Sequence, residues 1–229
     1  LLPACLLHGE DKPATGTSLF DGKTLEGWDG NPKFWSVKDG AITGQTTKGN
    51  STQGNTFIIW RHGELDDFDL RLEYRIFGGN SGVQYRSFEN PKWGKWVVGG
   101  YQADFEAGDT WSGANYGERF RGILCNRGLK TQLIREGGKF QVKTIKRLGD
   151  SKAIQAKIKK EDWNDYHVIA RGFHFVHRIN GALTAMPATG DNVQVTAVRS
   201  GFRSDPNEVE IVVVLTTGDR DRTTPLEEM

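Results

Sequence analysis

The chain has little of what many function classes require. Only two of its 229 residues are cysteines, Cys5 and Cys125, so no disulfide framework holds it and no Cys-based zinc cluster can form. Neither sign of charge prevails: 30 Lys and Arg stand against 29 Asp and Glu, which removes the overall field that draws nucleic acid. No run approaches the ~20 apolar residues of a membrane helix. A phosphate-cradling Gly loop ending in Lys-Ser or Lys-Thr is missing, and so is a Gly-x-Ser-x-Gly nucleophile turn. Long helix-period stretches are scarce. The expected partner is therefore a neutral or locally recognised molecule, with no nucleic acid and no transmembrane span.

What the chain does have is turns and rings: 29 glycines and seven tryptophans. Short apolar-rich pieces recur between glycine turns, the pattern of an all-β sandwich or jelly roll. VKDGAIT, REGGKFQ and RINGALT each place a DG, GG or NG pair between two strand-like runs, the chemistry of a tight hairpin. FDLRLEYRI alternates strictly, with Phe68, Leu70, Leu72, Tyr74 and Ile76 on one face and Asp69, Arg71, Glu73 and Arg75 on the other, predicting one core face and one wet face. AIQAKIKKEDWNDY reads as either a short helix or a strand.

The ends differ from the middle. LLPACLLHGEDK resembles the close of an apolar export segment, and Leu2 to Cys5 loosely resembles a bacterial lipoprotein cleavage box. The expectation is an exported protein, periplasmic or at the cell surface, with Cys5 the candidate lipid anchor and residues 1–17 a signal remnant and linker. Residues 188–229 read as a divergent closing segment, with a strand over Glu208–Leu215 and then a charged, frayed tail.

Candidate chemistry gathers in GGYQADFEAG, residues 99–108. On a strand Gln102, Asp104 and Glu106 share one face, and Gln84 and Arg86 of GVQYRS share another that adjoins it if the strands are neighbours. A concave sheet so lined is a groove. Carboxylates two positions apart couple electrostatically, and Arg86 or Arg121 nearby would oppose that repulsion. The plain alternative is a solvated face held by surface ion pairs. Trp93, Trp96, Trp111 and Tyr116 flank the strand on glycine-rich loops, where rings serve either as platforms for sugar faces or as cover for the sandwich edge. His174 and His177, three apart, fall on opposite strand faces, so they form no same-strand metal pair. His177 keeps step with Phe173, Phe175 and Ile179, which points it inward unless sheet curvature brings it round.

The pieces LFDGKTLEGW, FWSVKDGAITGQT, NTFIIW, GGNSGVQYRS, WVVGGYQADFEAG, RGIL, KKEDWNDY and INGAL, in that order, resemble the bacterial 3-keto-glycoside hydrolases, also described as 3-keto-glucoside lyase-hydratase domains. The resemblance spans about residues 18 to 186 and implies one domain over 18–187. Its implied fold is a concanavalin A-like lectin/glucanase jelly roll, a sandwich of two antiparallel sheets. The implied activity begins with removal of the acidic C2 proton of a 3-keto-glycoside, continues with loss of the C1 substituent and ends with hydration. The resemblance carries over Arg86, Gln102, Asp104 and Glu106 as pocket residues, and the catalytic candidates are Asp104, Glu106 and His177. Gln84, Arg86, Trp96, Gln102, Trp111 and Arg121 become candidates for binding an oligosaccharide or glycoside. Either acid could be the base, and a divalent metal ion beside them is compatible with the pattern, although no spacing demands one. FHFVHRING departs from the family by placing Phe173 and Val176 where polar residues are expected, and no Leu-Gln-x-His-x-Gly strand follows Met186. Two rivals remain: a glycan-binding module, and a laminarinase-like endoglucanase, against which Gln102 stands where a carboxylate nucleophile is required.

Overall fold

The computed structural model describes residues 16–189, 199–202 and 209–218, the last two stretches by backbone alone. Cys5 and the expected signal remnant before residue 16 lie outside the described residues. In chain order the strands are β1 (Gly16–Ser18), β2 (Trp28–Gly30), β3 (Trp35–Lys38), β4 (Ala41–Thr46), β5 (Thr56–Trp60) and β6 (Phe68–Ile76). The glycine-rich middle supplies β7 (Asn80–Glu89), β8 (Val98–Glu106), β9 (Asn115–Glu118), β10 (Gly122–Cys125), β11 (Leu129–Glu136) and β12 (Lys139–Arg147). One short helix, α1 (Ser151–Gln155), precedes β13 (Asn164–Arg171), β14 (His174–Ile179) and β15 (Ala182–Ala188). Finally come β16 (Arg199–Phe202) and β17 (Val209–Gly218).

These strands form two sheets. The larger has ten strands in the order β12-β11-β15-β14-β13-β6-β17-β4-β3, with β1 alongside β17, and the smaller has seven in the order β10-β9-β8-β7-β16-β5-β2. Neighbours pair antiparallel except β11 and β15, which run parallel. That exception follows from connectivity: α1 and three strands separate the two, and a parallel pair needs such a long crossover. Among the described residues the sandwich is all-β apart from α1 and one 3-10 turn at Pro91–Trp93, the jelly-roll architecture expected of the sequence. β17 occupies the stretch where a strand was expected and lies inside the larger sheet, between β6 and β4. Among the described residues, no helix is long and apolar enough to cross a membrane.

Local chemistry sets the hairpins. Asp39 and Gly40 both take positive φ (50° and 78°) between β3 and β4, the paired left-handed geometry whose twist suits a two-residue hairpin. Gly137-Gly138 does the same between β11 and β12, and Asn180-Gly181 between β14 and β15. Alternation then builds the core. Leu70, Leu72, Tyr74, Tyr166, Val168 and Phe175 of the larger sheet meet Val83, Tyr85, Tyr101 and Phe105 of the smaller. Ring contacts join the layers, among them Tyr74 on Phe105 at 4.2 Å and Tyr101 on Phe175 at 4.8 Å between centroids. Each such pair adds about 0.5–1.5 kcal/mol to simple burial.

The wet face expected of β6 is only partly wet. Asp69 is buried there, its Oδ1 2.6 Å from His167 Nε2 on neighbouring β13 and 3.7 Å from Arg71 Nε. A partner distant in sequence thus turns a nominal surface acid into a buried one.

Candidate active site

Strand β8 carries Tyr101, Ala103 and Phe105 into the core and sends Gln102 and Asp104 to the opposite, outer face of the smaller sheet. β7 pairs beside it with Gln84 opposite Gln102 and Gly82 opposite Asp104. The side chains form a directed chain. Gln84 Nε2 donates to Gln102 Oε1 at 2.9 Å, and Gln102 Nε2 donates to Asp104 Oδ1. Ser87 Oγ donates to Gln84 Oε1 at 3.3 Å. Each amide therefore directs a donor toward the carboxylate, and hydrogen bonds linked in this way polarise one another. The row is not on an open surface: Gln84, Gln102 and Asp104 are 0 %, 3 % and 1 % exposed.

Glycine shapes this row. A Cβ on Gly82 would lie 2.6 Å from Gln102 Cγ and 2.8 Å from the Ala103 carbonyl oxygen. The missing side chain is what lets Gln102 lean along the strand to Asp104. Gly82→Ala is therefore expected to cost about 1–3 kcal/mol through overpacking, checked by the urea midpoint.

A β-bulge sits one step further on, where the β7–β8 register slips between Tyr85 and Phe88. It decides where Arg86 goes. Arg86 takes φ 45°, and its guanidinium reaches toward the larger sheet. There it donates to the carbonyls of Asp66 (3.0 Å) and Gly172 and to Asp67 Oδ1 (3.1 Å), and stacks 5.1 Å from the Phe175 ring. The expected shared face with Gln84 is broken by the bulge, and Arg86 serves as a clamp between the sheets.

Glu106 is also diverted. Its Oε1 accepts from the backbone N–H groups of Thr110 and Trp111, and its own N–H donates to Ser112 Oγ at 2.9 Å. The carboxylate thereby pins the loop after β8, helped by Arg127, whose guanidinium donates to the carbonyls of Asp109 and Ser112 at 2.7 Å. Of the two acids singled out in GGYQADFEAG, Asp104 stays in the row with Gln102 and Glu106 is engaged by the loop.

His177 lies in the interior with no exposed surface, as its parity with Phe175 and Ile179 indicates. Asn115 Nδ2 donates to the Tyr85 hydroxyl at 2.8 Å, and that hydroxyl stands 3.0 Å from His177 Nε2. The amide nitrogen can only donate, so the Tyr85 oxygen accepts from it. The Tyr166 hydroxyl lies 3.4 Å from Nδ1. Burial drives the imidazole pKa down to about 3, with a hydrogen bond to the Ala114 carbonyl partly opposing the shift. That same carbonyl accepts from the Asp104 N–H at 3.1 Å, so His177 supports the site strand from beneath.

Among the aromatic candidates, Trp96 covers the outer-face apolar cluster of Phe57, Ile59 and Val98, and its Nε1 donates to Asp29 Oδ1 at 2.6 Å. Trp111 is exposed on the loop that Glu106 holds. Arg121 sits at the far edge, its guanidinium 5.2 Å from the Phe120 ring and 4.1 Å from the Phe140 ring. The structure thus gathers Gln84, Gln102, Asp104 and Trp96 on one sheet face and sends Arg86, Glu106, His177 and Arg121 elsewhere.

Several groups near the row were not singled out as site residues in the sequence. Glu118 on β9 is buried and is the register partner of Gly100, while Tyr116, expected on a glycine-rich loop, lies on β9 opposite Gln102. Asn115 Nδ2 lies 3.2 Å from the Gln102 carbonyl it donates to. The alternating polar residues of NYGE were the available signal; their pairing across strands was not. Among the described residues, no group of three or more His, Cys, Asp and Glu gathers to hold a metal ion.

Comparison with known proteins bears on the family and the fold. A curated 3-keto-disaccharide hydrolase of Bacteroides thetaiotaomicron is 34 % identical over 80 residues, a match covering 31 % of this chain and 27 % of that protein. The chain thus spans only about a quarter of that relative's length. A candidate glycosyl hydrolase of Parabacteroides distasonis superposes with TM-score 0.56 at 19 % identity, covering 90 % of this chain and 94 % of the other. The β-glucanase of Bacillus licheniformis superposes with TM-score 0.50 at 9 % identity over 92 % of this chain and all of the other, which marks the shared jelly roll. The model of the 3-keto-α-glucoside-1,2-lyase-like domain matches residues 15–208. By that match, the chain belongs to the 3-keto-α-glucoside-1,2-lyase-like domain family.

Proposed function

We propose that this sandwich is a carbohydrate-active enzyme that cleaves 3-keto-glycosides, with Asp104 as the general base. The ketone at C3 acidifies the C2 proton. Asp104 takes that proton, the C2 electron pair passes into an enolate, and the enolate then expels the C1 substituent, breaking the C1–O bond while the departing oxygen gains a proton. Water adds across the resulting C1–C2 double bond, its oxygen to C1 and a proton to C2, so the net reaction is hydrolysis without an oxocarbenium ion. The amides of Gln84 and Gln102 orient the carboxylate. Trp96 supplies a ring on the same face.

One observation carries the reading: a carboxylate held by a chain of amides on the outer sheet face, where an ordinary surface acid would face bulk water. The family match and the name of the Bacteroides relative support a 3-keto-glycoside as the substrate class. The test is incubation with a 3-keto-glucoside and with its unoxidised parent, with and without chelator, following aglycone release. Release from the oxidised glycoside alone supports the proposal. Release from unoxidised β-glucan, or sugar binding with no release, overturns it in favour of an endoglucanase or a binding module respectively.

A further inference from the structure

Among the described residues, strand β12 forms one edge of the larger sheet, bonded on one side to β11. All nine of its residues are exposed. Three are large apolar residues: Phe140 at 45 %, Val142 at 45 % and Ile145 at 48 % exposure. In register, Phe140 stands opposite Arg135 and Val142 opposite Leu133. Leu133 belongs to the core, so Phe140 and Val142 share the inward face of the sheet while staying exposed. Arg121 and Arg135 cover the Phe140 ring, their guanidinium carbons 4.1 Å and 5.6 Å from its centroid.

The opposite face is cationic. Lys139 and Lys143 alternate with the apolar pair, Lys139 opposite Glu136 of β11 and Lys143 opposite Gln132, Lys146 stands opposite Lys130 after a bulge, and β12 itself contains no acid. An unpaired edge already offers backbone N–H and C=O groups to another chain. Here that edge has an apolar row on one side and a lysine row on the other.

We propose that β12 is a docking edge for an extended segment of another polypeptide with alternating acidic and apolar residues, which adds to the larger sheet as one more strand. Its apolar residues would lie beside Phe140 and Val142, and its acids beside Lys139 and Lys143. The geometry favours this occupant over others. A second copy pairing through β12 would set its lysines against the lysines of the first, and like charges across a ladder repel. A flat membrane surface meets one face at a time, so it cannot engage both rows. A sugar ring finds Phe140 already covered by guanidinium groups. Lysines on an edge ordinarily keep strands off; against an acidic strand the same charges attract.

The test uses the whole chain and an acetylated nine-residue peptide of alternating Glu and Val. One control has the same composition in two blocks; a second is the alternating peptide N-methylated at every amide, so that neither edge can pair. Amide hydrogen exchange should show protection in residues 139–147 with the alternating peptide alone. Affinity should fall about tenfold in Lys139→Glu/Lys143→Glu, two surface changes that leave the core untouched. Equal binding of the block or N-methylated peptide means charge attraction only and overturns the proposal. So does protection elsewhere in the chain, dimerisation through β12 without peptide, or Phe140-dependent binding to phosphatidylglycerol vesicles by a chain that ignores the peptide.

Discussion

Asp104→Asn should lower aglycone release from a 3-keto-glucoside by about 10³-fold, within the range a general base contributes, while leaving the unfolding midpoint near that of the parent. Asn has the shape of Asp and can still accept from Gln102 Nε2 through its Oδ1, so the row from Gln84 onward keeps its geometry. What disappears is the group that takes the proton. The KM should move little and kcat should carry the loss, since the substitution acts on the transition state more than on binding. Glu106→Gln supplies the contrast. A glutamine Oε1 still accepts from the Thr110 and Trp111 N–H groups, so activity should stay within about threefold of the parent, whereas Glu106→Ala frees the loop and should cost ~1–3 kcal/mol of stability. If the Asn and Gln variants lose comparable kcat, Asp104 is not the base and the assignment fails.

That contrast also shows which parts of the site were legible from the chain alone. Turn chemistry is local: Asp39-Gly40, Gly137-Gly138 and Asn180-Gly181 each carry their own φ requirement and each closes a hairpin. Period-two alternation is nearly local, so the common face of Gln102 and Asp104 and the inward pointing of His177 follow from parity. Arg86 escapes that logic because a bulge shifts parity by one, and nothing in GVQYRS marks the slip. Glu106 has the right parity, yet the backbone donors four and five residues later draw its carboxylate into the loop. Asp69 is buried by a histidine 98 residues away. β16 is a four-residue strand between β7 and β5, too short for any period to announce it. Misreadings of this kind collect where the outcome depends on register between distant strands, and that is also where the site is assembled.

Acid should expose the cost of keeping His177 neutral inside the sandwich. In the unfolded chain its imidazole titrates near the ordinary 6.5, and in the folded protein at about 3, because burial excludes the charged form. Between those values the unfolded state binds more protons than the folded one. This contribution to stability is therefore intact above about pH 6.5 and shrinks as the pH falls toward 3. Over the span from pH 7 to pH 4 the single group should remove on the order of 3 kcal/mol. Many carboxylates titrate in the same span, so the measurement is a difference. Urea unfolding free energies of the parent and of His177→Gln, which carries no titratable ring, should converge by that amount between pH 7 and pH 4. At pH 7 the variant should be the less stable, since the Tyr85 hydroxyl loses its imidazole partner. Parallel pH curves would mean the imidazole finds protons in the folded state as readily as out of it. The pH dependence of kcat/KM separates structural from catalytic work. If His177 only supports the strand, the variant keeps the parent's profile wherever it stays folded; if His177 moved a proton of the substrate, one limb of that profile would vanish with the ring.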